Sequence, residues 1–243
     1  MSPEENGINM SLARAVVHSV TVALLVVVGL VAAPAAQAQD FGSPTASPLD
    51  RITAAADTGH VLIFSETAAF RHTEAIEQGT PKIVAALQAA GITSEVSEDS
   101  AIFNTTDLAR FDAIVMFQTS GDPWTGPGEK EALQAFQQSG KGIAAIHNAT
   151  DMRGNFAWWD NLVGSLMPGH AATGTSPGLP GEIIVEDRVH PSTKHLGGTR
   201  WARSDEWYNF STNVRGNAHV LLSMDESTYD AGSNKMGDRK SVV

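Results

Sequence analysis

The sequence predicts an α/β protein with a doubly wound, mostly parallel sheet of the flavodoxin-like kind. Between about residues 60 and 150, short apolar runs alternate with segments of helical periodicity and with short turns. Such strand–helix–strand repeats form parallel sheets with helices on both faces. Polar residues follow three of the predicted strands, at the sheet edge where open parallel sheets bind ligands.

The first elements follow from hydrophobic spacing and from residues that begin or end helices. His60–Ser65 is a short apolar strand, and Thr73–Ala90 repeats apolar residues on one helical face. Thr73 is the expected N-cap of this helix, and Gly91 is expected to end it. The same reasoning predicts strands at Ile92–Val96, Phe111–Phe117 and Lys141–Ile146, the first of them at an edge, and a helix at Gly128–Ser139.

Beyond residue 151 the periodicity weakens. A short helix at Phe156–Leu166 is followed by a loop rich in Gly and Pro, Met167–Gly181, and by strands at Glu182–Glu186 and His219–Met224. The loop is long for a compact domain, which favours a functional role. No closing helix follows the last strand, so we expect the domain, residues 60–243, to be truncated at its C-terminal end.

The N-terminal part is typical of a secretion signal followed by a linker. Arg14 and His18 precede an apolar run, Val20–Ala33, and the small residues of Ala36–Ala38 suit a signal peptidase. We therefore expect a signal peptide over residues 1–38 and export of the mature chain. The apolar run is shorter than the roughly 20 residues that span a bilayer, so no stable membrane span is expected after cleavage. Residues 39–59, rich in Ser, Pro, Ala and Thr, are expected to be a disordered linker.

Composition excludes several classes of function. With 16 Lys and Arg against 27 Asp and Glu, the formal charge is −11, which argues against a nucleic-acid partner and suits a neutral or cationic small molecule. The chain has no cysteine, which excludes disulfides, thiolate nucleophiles and cysteine-bound zinc. A divalent metal remains possible as a cofactor, held by His, Asp or Glu. The sequence leaves the oligomeric state open.

Three polar clusters are expected to meet at the carboxyl edge of the sheet. They are Ser65–Thr67, Gln118–Asp122 and His147–Asp151. Imidazole titrates near neutral pH, and a neighbouring carboxylate orients it as a general base. We therefore predict catalytic roles for His147, Asp151 and Glu206.

Further polar and aromatic residues are candidates for substrate contact. The substrate-binding set is His72, Asn148, His170, Trp124, Trp159, Trp207 and Tyr208, and the metal candidates are His72, His147 and His170. Each also has a purely structural interpretation, because a histidine can flank a helix, a tryptophan can fill a core, and an acid can accept from an indole N–H.

Several of these stretches together carry a family resemblance. They are Phe70–His72, Gly142–Asp151, Trp159 with Leu162–Gly164, His170, and Asp205–Phe210. In this order they resemble the ThuA-like (trehalose utilisation) family, over roughly Gly59 to Met236. The resemblance implies a class I glutamine amidotransferase-like fold of the flavodoxin type and a role in carbohydrate metabolism.

The chain departs from the amidotransferases at the turn after the Lys141–Ile146 strand. Those enzymes carry a cysteine there, whereas this chain offers His147 and Asn148 and has no cysteine, which argues against amide hydrolysis from glutamine. Two hypotheses remain. The first is an enzyme that moves a proton on an oxidised (keto) sugar, as a lyase or isomerase, or a hydrolase that uses a metal. The second is a non-catalytic carbohydrate-binding domain of a larger exported protein, in which tryptophans including Trp158 stack on sugar rings.

Overall fold

The computed structural model describes residues 59–153, 155–171, 178–232, 235–236 and 240–241. The predicted signal peptide and, apart from Gly59, the predicted linker lie outside this range. Within the described part of the chain, no helix is long and apolar enough to cross a membrane. The described residues form two compact units, which interleave along the sequence: residues 59–66, 72–117 and 124–144 build the first, and residues 67–71, 118–123 and 145 onward build the second.

The first unit contains the predicted α/β sheet. Its sheet has the order β2 (Thr93–Ser97), β1 (His60–Phe64), β3 (Ala113–Phe117), β4 (Gly142–Ile146), with β1 paired in parallel to both β2 and β3. This order matches the first four strands of the flavodoxin-like arrangement. The elements are β1 (His60–Phe64), α1 (Thr73–Ala89), β2 (Thr93–Ser97), α2 (Thr105–Leu108), β3 (Ala113–Phe117), α3 (Glu129–Gln138) and β4 (Gly142–Ile146), whose last two residues belong to the second unit.

Burial explains why these strands can be predicted from the sequence. In β3 all five residues are buried, and in β1 all but His60, as expected of central strands covered on both faces. β2 has no fully buried residue and lies at one edge, which confirms the interpretation of its polar sequence. The alternating strand and helix pattern therefore predicts this half of the fold correctly.

The start of α1 differs from the prediction. His72, not Thr73, is the N-cap residue, and its side chain makes no capping hydrogen bond to the helix. The helix end agrees with the prediction, because Gly91 adopts φ +76°, a left-handed conformation that glycine tolerates best.

The second unit adds antiparallel strands. Those at Leu179–Val185 and Leu222–Asp225 overlap the predicted strands Glu182–Glu186 and His219–Met224, whereas the others and the antiparallel pairing were not predicted. One antiparallel sheet has the order Lys240–Ser241, Leu222–Asp225, Leu179–Val185, Arg200–Asp205, and Gly169–His170 pairs with Tyr208–Asn209 in a separate two-stranded ribbon. The elements are α4 (Ala157–Val163), β5 (Gly169–His170), β6 (Leu179–Val185), β7 (Arg200–Asp205), β8 (Tyr208–Asn209), β9 (Leu222–Asp225) and β10 (Lys240–Ser241).

This antiparallel sheet packs one face on a small core of its own. The core consists of Ile183, Val185, Trp207, Leu221, Leu222 and Met224. Gly181 allows the close packing, because a Cβ atom there would lie 2.3 Å from the Met224 Cε atom and 3.1 Å from the Trp207 Nε1 atom. The guanidinium of Arg200 contacts the carboxylate of Glu182 on the neighbouring strand at 2.6 Å and that of Asp225 on the next strand at 2.8 Å.

Candidate functional site

Three segments that are distant in sequence come together within the second unit. The backbone N–H of Ala68 donates to the carbonyl of Ser120 at 2.8 Å, and that of Gly121 donates to the carbonyl of Asp151 at 3.1 Å. The N–H of Arg153 returns a bond to the Gly121 carbonyl at 2.8 Å. The polar segments that follow β1, β3 and β4 therefore form one hydrogen-bonded cluster.

Gly121 makes this close approach possible. It has φ +71°, and a Cβ atom at this position would lie 2.8 Å from the backbone nitrogen of Ala69 and 2.9 Å from the carbonyl carbon of Ala68. Real Cβ atoms do not come this close to backbone. Any larger residue would therefore push the segment of residues 67–71 away from residues 118–123.

His147 stands in a strained backbone conformation at the end of β4. Its φ is +54°, in the left-handed region that costs a residue with a Cβ atom roughly 1–2 kcal/mol. The hydroxyl of Thr150 donates to the His147 carbonyl at 2.9 Å and helps to hold the turn, a 3-10 helix over His147–Asp151. Strain of this kind is concentrated at functional sites, where the surrounding structure maintains it.

Glu206 joins two histidines through its two carboxylate oxygens. Its Oε2 atom lies 2.9 Å from the His147 Nε2 atom, and its Oε1 atom lies 3.3 Å from the His170 Nε2 atom. The side chains of His147 and Glu206 are about one-fifth exposed and that of His170 about two-fifths, so the trio is partly shielded but open to a ligand. The structure thus brings together three of the predicted site residues.

The hydrogen bonds restrict where the protons of this trio are. His170 Nδ1 lies 2.8 Å from the carbonyl of Ala171, which can only accept, so Nδ1 carries the proton. Any proton between His170 Nε2 and Glu206 is then either the second proton of an imidazolium or a proton on the carboxyl group. When His147 Nε2 donates to Glu206, its neutral ring has its basic lone pair on Nδ1.

The ribbon of β5 and β8 positions two members of the site. His170 pairs directly with Tyr208 across the two strands, and Glu206 lies just before β8. The sequence placed His170 in a loop, but its segment is held in register by the pairing of Gly169 with Asn209. This pairing fixes the spacing between the second imidazole and the carboxylate.

Asn148 and Tyr208 hold His147 from inside. The Tyr208 ring stacks on the His147 ring with centroids 4.2 Å apart, and its hydroxyl donates to the Asn148 Oδ1 atom at 2.5 Å. Asn148 Nδ2 donates in turn to the Phe70 carbonyl at 3.1 Å. Burial is the main cause that raises the pKa of Tyr208, and the negative charge of Glu206 is the second. The hydroxyl therefore remains a neutral donor. Both residues were predicted to bind substrate, but these polar atoms bond within the protein and orient the imidazole.

Asp151 pairs with Arg153 and not with His147. One of its carboxylate oxygens accepts from the Nε atom of Arg153, and Arg153 also donates to the Met167 carbonyl. Of the two acids predicted to assist His147, it is Glu206 that makes the hydrogen bond. Asp151 instead ties together the turn that follows β4.

Two of the predicted sugar-stacking tryptophans are interior residues. Trp159 is 1% exposed, and its indole N–H donates to the Ala149 carbonyl at 3.0 Å. Trp207 is 5% exposed and donates to the Leu179 carbonyl at 2.6 Å. The prediction that they bind substrate is corrected on this point, because neither ring has an exposed face for a sugar.

The remaining two predicted residues lie in the first unit. His72 precedes α1, and its carbonyl accepts the N–H of Ile76. Trp124 is half-buried and packs against Phe64 and edge-to-face against Phe103, with centroids 6.4 Å and 5.0 Å away. Their roles in binding remain predictions.

The site has donors of the kind that transition metals bind. His147 and His170 offer imidazole nitrogens and Glu206 offers carboxylate oxygens, a mixture that suits zinc or iron. Such a metal would act as a Lewis acid on a carbonyl oxygen. The divalent metal remains a prediction; without it, the same three residues can orient, accept and return a proton.

Sequence reasoning did not identify two residues that build the site. The Ser120 hydroxyl donates to the Phe70 carbonyl at 2.7 Å, and the Phe70 side chain is 67% exposed. Ser120 was visible only as part of a polar cluster after β3. For Phe70, an aromatic residue in a segment that carries the resemblance, no periodicity indicates whether its ring is buried or exposed.

Comparisons with known proteins agree with the fold. The sequence profile of the ThuA family, described as trehalose utilisation, matches residues 60–241. A crystal structure of a protein described as ThuA-like, from Bacteroides uniformis, aligns with a TM-score of 0.62 at 21% identity and covers 76% of each chain. At this identity the likeness shows the fold alone. The comparison with curated proteins finds no match.

Proposed function

Because the chain belongs to the ThuA family, we propose that it is a carbohydrate-active enzyme that transfers a proton on an oxidised (keto) sugar. The family description, trehalose utilisation, supports a role related to carbohydrates. The proton-transfer step is supported by the side chains that surround Glu206. The acidic composition is consistent with a neutral sugar as substrate.

The single observation that carries the reaction type is the carboxylate shared by two imidazoles. Glu206 lies 2.9 Å from His147 and 3.3 Å from His170 through different oxygens. General acid–base catalysis needs one group that takes a proton and a second that gives one, both near neutral pH. Two histidines around one acid supply this pair without a covalent nucleophile, which agrees with the absence of cysteine.

The proposed step is balanced within these groups. The neutral His147 ring, oriented by Glu206, takes the proton from the carbon next to the sugar carbonyl. The electron pair of that C–H bond forms the C=C bond of an enediol, and the carbonyl π electrons move to oxygen. His170, in its protonated form, delivers a proton to this oxygen. Return of a proton to the other carbon gives an isomer, and loss of a neighbouring leaving group gives an elimination.

The alternative function, a non-catalytic carbohydrate-binding domain, rested on four tryptophans. Trp159 and Trp207 are buried, whereas a sugar platform requires an exposed ring face. A strained histidine in a hydrogen bond with a carboxylate is also more than binding requires. The enzyme proposal therefore has the stronger support.

Deuterium exchange tests the reaction directly. We expect the purified protein to exchange the proton next to the carbonyl of a keto-disaccharide for deuterium in D₂O, as followed by proton NMR. His147→Ala should slow the exchange by about 10²–10⁴-fold. Glu206→Gln should also slow the exchange, because His147 loses its orienting carboxylate.

The second unit contains a matched control for this experiment. His219 contacts the Asp187 carboxylate at 2.9 Å, the same distance and chemistry as the candidate pair, but is itself largely exposed. His219→Ala should leave the exchange rate unchanged. If wild-type protein exchanges no proton of any keto-sugar in a panel, or if His147→Ala exchanges as fast as wild type, the proposed reaction is rejected.

Export is a second part of the proposal, supported by the leader-like pattern of residues 1–38. We expect the secreted chain to begin at Gln39, which mass spectrometry of its N-terminal peptide will reveal. A chain that keeps residues 1–38 inside the cell contradicts export and leaves the proposed reaction untouched.

A further inference from the structure

Among the Phe, Tyr and Trp side chains that the structure describes, that of Phe70 is the exposed one. Its side chain is 67% accessible, whereas the other aromatic side chains of the described residues are buried or half-buried. An apolar ring in water costs free energy that burial against a ligand would recover. Single exposed apolar residues are common, however, so the position of Phe70 has to carry the argument.

The backbone of Phe70 is held by two buried polar side chains. Its carbonyl accepts from the Ser120 hydroxyl at 2.7 Å and from Asn148 Nδ2 at 3.1 Å, and these donors are 0% and 3% exposed. The preceding Ala68 is bonded to the Ser120 carbonyl, and Gly121 admits the segment at van der Waals contact. An exposed ring on a fixed backbone loses little conformational entropy when it binds a ligand.

The same Asn148 links Phe70 to the candidate catalytic histidine. Asn148 follows His147 in the chain and accepts from the hydroxyl of Tyr208, whose ring stacks on the His147 imidazole. One buried amide thus holds the backbone of Phe70 and, through Tyr208, packs beside the strained histidine. The Phe70 backbone is therefore one hydrogen bond away from the residue that follows His147.

From this arrangement we propose that Phe70 is the platform on which the apolar face of a sugar ring stacks beside His147. The inference rests on the proposed function for its ligand class, a neutral pyranose, and goes beyond it in assigning the residue that binds the ring. Sugars present faces of C–H groups that pack on aromatic rings. Phe70 thereby takes the role that the buried Trp159 and Trp207 are unable to fill.

A binding measurement tests this role separately from catalysis. Isothermal titration with α,α-trehalose and with methyl α-glucoside should show that Phe70→Ala weakens binding about tenfold, which corresponds to roughly 1.4 kcal/mol. Phe70→Trp should bind within about twofold of wild type, because it keeps an aromatic face. Unchanged circular dichroism and melting temperature should accompany both variants, since the side chain is exposed.

Val189 provides the matched control, because it is an 84% exposed apolar residue of the same unit. Val189→Ala should bind both sugars as wild type does. Equal affinity of Phe70→Ala and wild type overturns the inference, and so does a change of oligomeric state in Phe70→Ala, which would assign the ring to a protein contact. If wild type binds neither sugar, the inference falls together with the carbohydrate part of the proposed function. If instead sugar binding depends on Phe70 but His147→Ala exchanges protons normally, only the proposed reaction fails.

Discussion

Glu66 in the first unit and Glu206 in the second have carboxylates in opposite surroundings. The Oε2 atom of Glu66 is buried and has no hydrogen-bond partner among the described residues, and burial raises the pKa of Glu66 although a backbone hydrogen bond from Ser100 opposes this. In the second unit, Glu206 places each of its oxygens beside an imidazole. Burial of an acid costs stability when it disfavours the charged form, whereas an acid placed between two imidazoles is equipped for proton transfer.

The two units also differ in where their backbone strain lies. The three non-glycine residues with positive φ among the described residues, Gln118, His147 and Asn155, all belong to the second unit. In the first unit the left-handed positions are glycines, such as Gly128, where a Cβ atom would meet nothing within 4 Å. The first unit therefore resembles a relaxed scaffold, and the second one stores strain around the candidate site.

The largest difference between the units should appear when a methyl group is added to a left-handed glycine. Gly121→Ala combines the left-handed backbone cost with contacts under 3 Å to Ala68 and Ala69, and we expect it to lower the free energy of unfolding by about 3 kcal/mol. Gly128→Ala adds only the backbone cost, about 1 kcal/mol. Urea unfolding of the two variants under one condition measures both values.

Equal destabilisation by the two alanines would contradict this contrast. It would mean that the segment of residues 67–71 yields to the new methyl group without loss. The approach of that segment to residues 118–123 would then be loose, and the fixed presentation of Phe70 would lose its structural basis.

A smaller effect is expected from removing the charge of Glu66. The folded-state pKa of Glu66 is raised above 4.5, so the contribution of this one group to stability is fully present below pH 4.5 and is lost as the pH rises through the folded pKa. Glu66→Gln removes this loss, and at pH 7 it should unfold with a free energy higher than wild type by less than about 1 kcal/mol, since solvent screens a partly exposed group. At pH 4 the two proteins should be equally stable.

Glu77→Gln is the control, because Glu77 lies on the exposed face of α1. Chemical unfolding at pH 4 and pH 7 should give this variant the stability of wild type at both values. If Glu66→Gln is instead less stable at pH 7, its carboxylate has a favourable partner and the contrast with Glu206 disappears.

Prediction from sequence succeeded for the strands whose burial requires a run of apolar residues. β1 and β3 are nearly or entirely buried and read as apolar runs, and their order and the helix between β1 and β2 follow from that pattern. β7, with the sequence Arg-Trp-Ala-Arg-Ser-Asp, is only half-covered and carries three charges. β5 and β8 have two residues each, too few to show any period.

The site was predictable in its residue types but not in its pairings. His147 and Glu206 were both identified, but nothing in the sequence indicates that Glu206, 59 residues away, rather than Asp151, four residues away, bonds to the imidazole. In the folded chain the Asp151 carboxylate pairs with Arg153 instead. The burial of the tryptophans is equally hard to predict. The indole N–H of Trp159 donates to the Ala149 carbonyl, a partner that only the folded chain supplies.

The hydrogen bonds around Asn148 have a consequence for the order of folding. They join residues that are 59, 60 and 78 positions apart, so each requires the closure of a long loop and its entropic cost. Contacts of this range form late, after helices such as α1 have gained their local bonds. A nascent chain that ends before Glu206 carries His147 without its carboxylate. On refolding of the full chain, proton exchange should return only after helical structure has recovered.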